Sequence, residues 1–175
     1  MEIIRLERTF GVNLDLRGTS TPSNQDIIRL LKRSEAMLIA IQLYYTEFSG
    51  EGLGEQDISL QHLEKLKLWG GRNLTDFGLM ELLVKCRQNL KELDLNDNDI
   101  NGNGMAGFHA PLLKKLRLSR CKNLTNRNLL GFLTNCGETL KELELSSIDI
   151  TGEGLMAFNA PLLRKLHISQ CKKLT

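Results

Sequence analysis

Leu113 to Asn135 reads LKKLRLSRCKNLTNRNLLGFLTN, one strand, a turn and a short helix in a single phrase. Leu113, Leu116 and Leu118 set out an LxxLxL strand. Cys121, Leu124 and Thr125 then turn the chain, and Leu129, Leu130, Phe132 and Leu133 recur at helical spacing. The phrase repeats. LEKLKLWGGRNLTDFGLMELLVKC begins fifty residues earlier at Leu63, and LRKLHISQCKKLT begins fifty later at Leu163. A shorter phrase fills the gaps, LKELDLNDNDINGNGMAGFHAPL from Leu90 and LKELELSSIDITGEGLMAFNAPL from Leu140, so the starts advance by alternating steps of 27 and 23 residues.

The register extends backwards. In LIAIQLYYTEFSGEGL, Leu38, Ile41, Leu43 and Phe48 match Leu90, Leu93, Leu95 and Ile100; in the phrase from Gly11, Leu14 and Leu16 keep the strand while Ile27, Ile28, Leu30 and Leu31 keep the helix face. Repeats therefore start near 11, 38, 63, 90, 113, 140 and 163, six of them complete and the seventh a strand. Such units cannot bury an apolar face alone and must stack into a solenoid. Residues 1–10, with Ile4 and Leu6 on one face, are too short for a repeat and are expected to cap the first coil as a strand or hairpin, leaving 11–175 as one repeat domain.

Composition narrows the function classes. With 41% apolar residues, 25% charged residues and a net charge of +2, the chain has the balance of an ordinary soluble domain large enough for a continuous core. It has no basic block with interleaved aromatics, which argues against nucleic acid, and no apolar run of the ~18 residues a membrane helix needs. MEIIRLERTF lacks a signal-peptide core, so a cytosolic or nuclear location is expected.

The cysteines fit that compartment. Cys86 and Cys136 share the helix end, Cys121 and Cys171 follow the strand, and all four are expected to be buried thiols. No CxxC or Cys/His cluster has metal spacing, so neither metal nor cofactor is implied. Ser23, Thr75 and Thr125 occupy one slot ahead of each long helix, where a hydroxyl caps the exposed backbone N–H groups, with Pro22 breaking the chain before the first. Gly102–Gly107 matches GxGxxG, but its first two glycines recur as Gly50/Gly52 and Gly152/Gly154, which marks a turn of the coil and not a dinucleotide fingerprint. The sequons at Asn73 and Asn123 lie in the capping turns and are expected to stay unmodified.

Alternation along LxxLxL sends the leucines inward and their neighbours onto the other face of the sheet. One such row reads Asp15, Gln42, Lys67, Asp94, Arg117, Glu144, His167, with alternating signs from Lys67 to Glu144. It is either a solvated face whose charges avoid like neighbours or a surface of polar complementarity. The next rows hold Tyr44, Trp69, Asn96, Ser119 and Ser146, then Tyr45, Gly70, Asp97, Arg120 and Ser147. The single tryptophan and both tyrosines thus fall on neighbouring strands at one end. They are either packed under a turn or the cap, or the anchors of an interface, where Tyr, Trp and Arg dominate. His62, His109 and His167 occupy different slots, and no nucleophile, base and acid converge, so catalytic residues are not expected.

The phrases from Leu63 and Leu113 resemble the cysteine-containing subclass of leucine-rich repeats, C-x-x-L-T-x-x-x-L-x-x-L-x-x-x-C followed by L-x-x-L-x-L, with Gly71 replacing the first cysteine in the earlier phrase. The resemblance covers residues 11–175. It implies an α/β fold, a right-handed solenoid similar to ribonuclease inhibitor, with a parallel concave sheet and, here, alternating long helical and short turn-like segments outside. It implies protein binding without chemistry, as in the substrate-recognition arms of F-box ubiquitin ligases or an adaptor. The expected partner surface comprises Tyr44, Tyr45, Trp69, Lys67, Asp94, Arg117, Arg120 and Glu144. The strand from Leu163, followed by no helix, is a second expectation, an edge through which copies could self-associate.

Overall fold

Leu66, Leu93, Leu116 and Leu143 stand side by side on four adjacent strands, all of them removed from solvent. They belong to a computed structural model that describes residues 11–16, 22–156 and 158–174. The seven strands described, β1 (Val12–Leu16), β2 (Leu38–Tyr44), β3 (Lys65–Trp69), β4 (Glu92–Asp94), β5 (Lys115–Ser119), β6 (Glu142–Ser146) and β7 (Lys165–Ser169), pair in chain order into one parallel, open sheet. The architecture is an α/β leucine-rich repeat solenoid. The proposed cap at residues 1–10 lies outside the described residues.

Long and short convex segments alternate as the two phrases require. The long ones are α1 (Asn24–Ser34), α2 (Asp76–Cys86) and, after the one-turn α3 (Asn103–Ala106), α4 (Asn126–Cys136). The other short segments are a turn around residues 51–56 and the 3-10 turn Gly152–Leu155. Ser23, Thr75 and Thr125 each precede a long helix in extended conformation and accept a hydrogen bond from a first-turn amide, those of Asp26, Gly78 and Asn128. The three hydroxyls do the capping their common slot suggests.

The next residue of each long helix ties that coil to the following one. Asn24 Oδ1 accepts from the amides of Ser49 and Gly50, and Asn126 Oδ1 from that of Thr151. The Asp76 carboxylate collects three, from Asn101, Gly102 and Gly104 at 2.9 to 3.1 Å. This close seating explains the Gly-x-Gly turns. A Cβ on Gly104 would stand 1.9 Å from the Asp76 carbonyl oxygen.

The slot three residues past the last strand leucine is buried at Gly71, Asn98, Cys121 and Ile148, and neighbouring coils fill it differently. Cys121 donates its thiol to the Leu95 carbonyl at 2.8 Å. Asn98, 1% exposed, uses both ends of its amide, donating to Leu68 O at 2.7 Å and accepting from Gly71 N at 3.1 Å. All four thiols are free; Cys86, Cys121 and Cys136 are buried and Cys171 is half-buried. Burial pushes the thiols of Cys86 and Cys121 up to about 12 and that of Cys136 to about 11, which keeps them protonated and inert.

Asn98→Ala would leave a buried carbonyl and a buried amide without partners, and is expected to cost about 1–3 kcal/mol in urea unfolding. Asn98→Cys, which restores the thiol-to-carbonyl bond seen at Cys121, should cost less. Equal losses for the two variants would show that the amide contributes only its bulk.

Candidate functional site

Every strand sends its leucines inward, so three rows of side chains line the concave face. The register places Lys65, Glu92, Lys115, Glu142 and Lys165 in the first row and Gln42, Lys67, Asp94, Arg117, Glu144 and His167 in the second. Signs alternate from strand to strand in both rows, so the face is striped, with β3 and β5 positive and β4 and β6 negative. Glu92 sits at its centre, with Lys67 at 3.6 Å, Arg117 at 3.7 Å and Lys115 at 3.8 Å. Arg117 Nε donates to Glu144 at 3.1 Å, and Lys115 meets Glu142 at 3.2 Å, holding that carboxyl below its ordinary range. Such part-exposed pairs contribute about 0–1 kcal/mol each, so their main effect is to fix register and present a nearly neutral but strongly patterned surface. Of these two charged rows only the second was named from the sequence alone. The first was equally visible as the alternating lysines and glutamates just before the second framework leucine.

Asp94 occupies the row expected for it, but its side chain is 0% exposed. Arg117 Nη1 lies 3.6 Å from one carboxylate oxygen, yet neither oxygen has a hydrogen-bond partner. Desolvation therefore dominates and raises the Asp94 carboxyl above its ordinary range, opposed by the Trp69 indole, Arg117, the Asn96 amide and Lys67. The Trp69 Nε1 atom is itself buried and outside hydrogen-bond geometry. Asp94 thus acts beneath the surface, on Arg117 and Trp69.

Trp69 and Tyr44 pair across β3 and β2 edge to face, ring centroids 5.2 Å apart at 67°. Both rings are half-buried, and the Tyr44 hydroxyl donates to Gln42 at 3.2 Å. The sheet ladder runs one residue beyond them, where Tyr45, Asp97, Arg120, Ser147 and Gln170 all adopt positive φ, from 53° to 59°. Each of the four amides from Tyr45, Asp97, Arg120 and Ser147 donates to the next coil, as in Tyr45 N to Trp69 O at 2.7 Å, which holds the left-handed turn in place. The conformation throws the Tyr45 ring outward, 64% exposed, over Gly70. A Cβ on Gly70 would stand 2.3 Å from that ring.

The structure therefore pairs Tyr44 with Trp69 and sets the exposed Tyr45 ring next to them over Gly70, with Lys67 on the same strand as Trp69 and Arg117 and Glu144 joined to each other further along. Arg120 leaves β5, three strands from Tyr45, or roughly 14 Å at the ordinary strand spacing, and stands apart from the aromatics. Among the described residues there is no group of His, Cys, Asp or Glu fit to hold a metal, and no helix long and apolar enough to cross a membrane.

A family model described as Leucine Rich repeat matches residues 87–108 and 138–158, the strands and glycine turns of two short repeats. Comparison with curated proteins gives no match.

A buried carboxyl with a raised pKa binds its proton more tightly in the folded chain than in the unfolded one. It favours folding at low pH, and that contribution is lost as pH rises through the folded value. Asp94→Asn should then melt higher than the parent at pH 7, with the advantage shrinking as pH falls toward 4. A variant that melts lower at pH 7 would mean that attraction from Arg117 and Lys67 outweighs burial.

Proposed function

We propose that the chain is a non-enzymatic scaffold that holds a protein partner on its concave sheet, with Tyr44, Tyr45 and Trp69 as anchors and Lys67, Arg117, Arg120 and Glu144 setting polar complementarity. Leucine-rich repeats are generally protein-interaction modules, and the observation that carries the finer reading is the aromatic cluster. Tyr44 and Trp69 stand in a row that coils five to seven fill with serine, at Ser119, Ser146 and Ser169. A half-buried aromatic pair beside an exposed ring supplies apolar area that costs little side-chain entropy to immobilise. The surrounding stripes of alternating charge would select the partner by charge pattern more than by net attraction. Asp94 supports the site from below. A substrate-recognition or adaptor role, and membership of the cysteine-containing, ribonuclease-inhibitor-like subclass, fit the same reading, as does a cytosolic or nuclear setting in which the thiols stay reduced.

A second reading rests on β7. Among the described residues it pairs only with β6, and Leu166, whose counterparts in β3 to β6 are buried, is 54% exposed. An exposed apolar side chain on a strand with one open edge favours pairing with another copy of the chain.

Affinity capture with the intact protein, followed by mass spectrometry, should return a partner that is lost with the Tyr44→Ala/Tyr45→Ala/Trp69→Ala variant. Trp69→Ala alone should weaken it at least tenfold by calorimetry, the scale of an interface anchor. Unchanged affinity in a folded triple variant would remove the concave site. For the second reading, sedimentation velocity over a concentration series should show association that Leu166→Glu abolishes, and a monomer throughout would end it.

A further inference from the structure

The outer face of α2 differs from those of its two counterparts. Phe77, Met80 and Val84, spaced as one side of a helix, are 57%, 42% and 56% exposed. The repeat register puts Gln25 and Lys32 at the first and last of these positions in α1, and Arg127 and Thr134 there in α4. Helix α2 is thus apolar on both faces. Its inner face, Leu79, Leu82 and Leu83, is spent on the core, and the outer stripe has no partner within the described fold. An apolar helix face left in water marks an interaction surface.

The alternation of long and short repeats shapes what lies beside it. Between the eleven-residue helices α2 and α4 stands only the four-residue α3, packed against both. A depression lies over α3 against α4, lined by Asn103 and Ala106 and, from α4, by Arg127, Leu130 and Gly131. Three turns of α2 span about 16 Å, the length of a short helical segment. The charges are one-sided. Arg127 sits in the depression, and Arg87 follows α2 at the position whose α4 counterpart, Gly137, abuts the next short repeat. Both arginines are exposed and neither forms an ion pair among the described residues. The nearer carboxylates of α2 are engaged, Asp76 with the glycine turn that follows and Glu81 with the Gly52 amide on the opposite side.

We infer that the outer stripe of α2 is a second docking surface, which takes the apolar side of a partner's amphipathic helix carrying carboxylates along its flank. Leucine-like side chains spaced i, i+3, i+7 would lie against Phe77, Met80 and Val84, and the flanking carboxylates would reach Arg87 and Arg127. The site is independent of the concave surface, and both can be occupied together.

The test uses the whole chain and two synthetic helical peptides of about fourteen residues, identical in their leucine stripe but flanked by glutamate in one and lysine in the other. Fluorescence anisotropy should show the glutamate peptide binding at least tenfold more tightly. Phe77→Gln/Val84→Thr, which installs residues that α1 and α4 already carry at those positions, should abolish binding without lowering the melting temperature. Arg87→Glu/Arg127→Glu should reverse the preference between the peptides, and Trp69→Ala should leave it unchanged. Equal binding of both peptides, no binding of either, or loss of binding in Trp69→Ala overturns the proposal. So does self-association of the parent that Phe77→Gln/Val84→Thr removes, since the stripe would then belong to a second copy.

Discussion

No coil of this chain can bury its own leucines. Leu93 is enclosed only because Leu66 lies on one side of it and Leu116 on the other, and the same holds along the column. Stability is therefore a property of neighbouring pairs of coils, and each pair that runs from a long to a short coil is joined twice. The sheet ladder ties them on the concave side. On the convex side the first residue of each long helix, Asn24, Asp76 or Asn126, grips the backbone of the glycine turn that follows. The two ties together hold the spacing that lets the leucines meet, and so determine which side chains are left to face outward.

This division of labour separates variable from invariant slots. Within the buried post-strand slot, thiol, amide, isoleucine and glycine are all tolerated, because each coil can satisfy its neighbour's carbonyl or dispense with it, as at Cys121, Asn98, Ile148 and Gly71. The concave rows tolerate still more, provided adjacent signs alternate. Function can thus be written on the sheet face without disturbing the architecture, and the aromatic cluster at β2 and β3 is the clearest instance.

Much of this was legible beforehand because the spacing of leucines carries it. The seven strands, their chain-order pairing, the capping hydroxyls and the inward cysteines all follow from one register, and Asp15 to His167 lie in the row that register assigns. What escaped reading depends on neighbours in space. The covered state of Asp94 needs Trp69 and Arg117 to close over it from either side, and nothing in LKELDL announces that. The reach of Asp76 to three amides some 25 residues on, and the outward stripe of α2, likewise emerge only once the coils are stacked. Helical periodicity reports which residues are apolar, and in DFGLMELLVKC that is true of both sides.

The seating of the Tyr45 ring over Gly70 makes these two positions mutually exclusive for bulk. Any side chain acquired at position 70 would have to evict the ring, and a chain that lost Tyr45 would free position 70 to take the Asp, Arg, Ser or Gln found in the later coils. The two residues, 25 apart in sequence, form one unit of inheritance. In this family of coils a tyrosine should therefore be found at the end of β2 only where its neighbour keeps a glycine, which makes the pair a signature by which chains sharing this surface can be recognised.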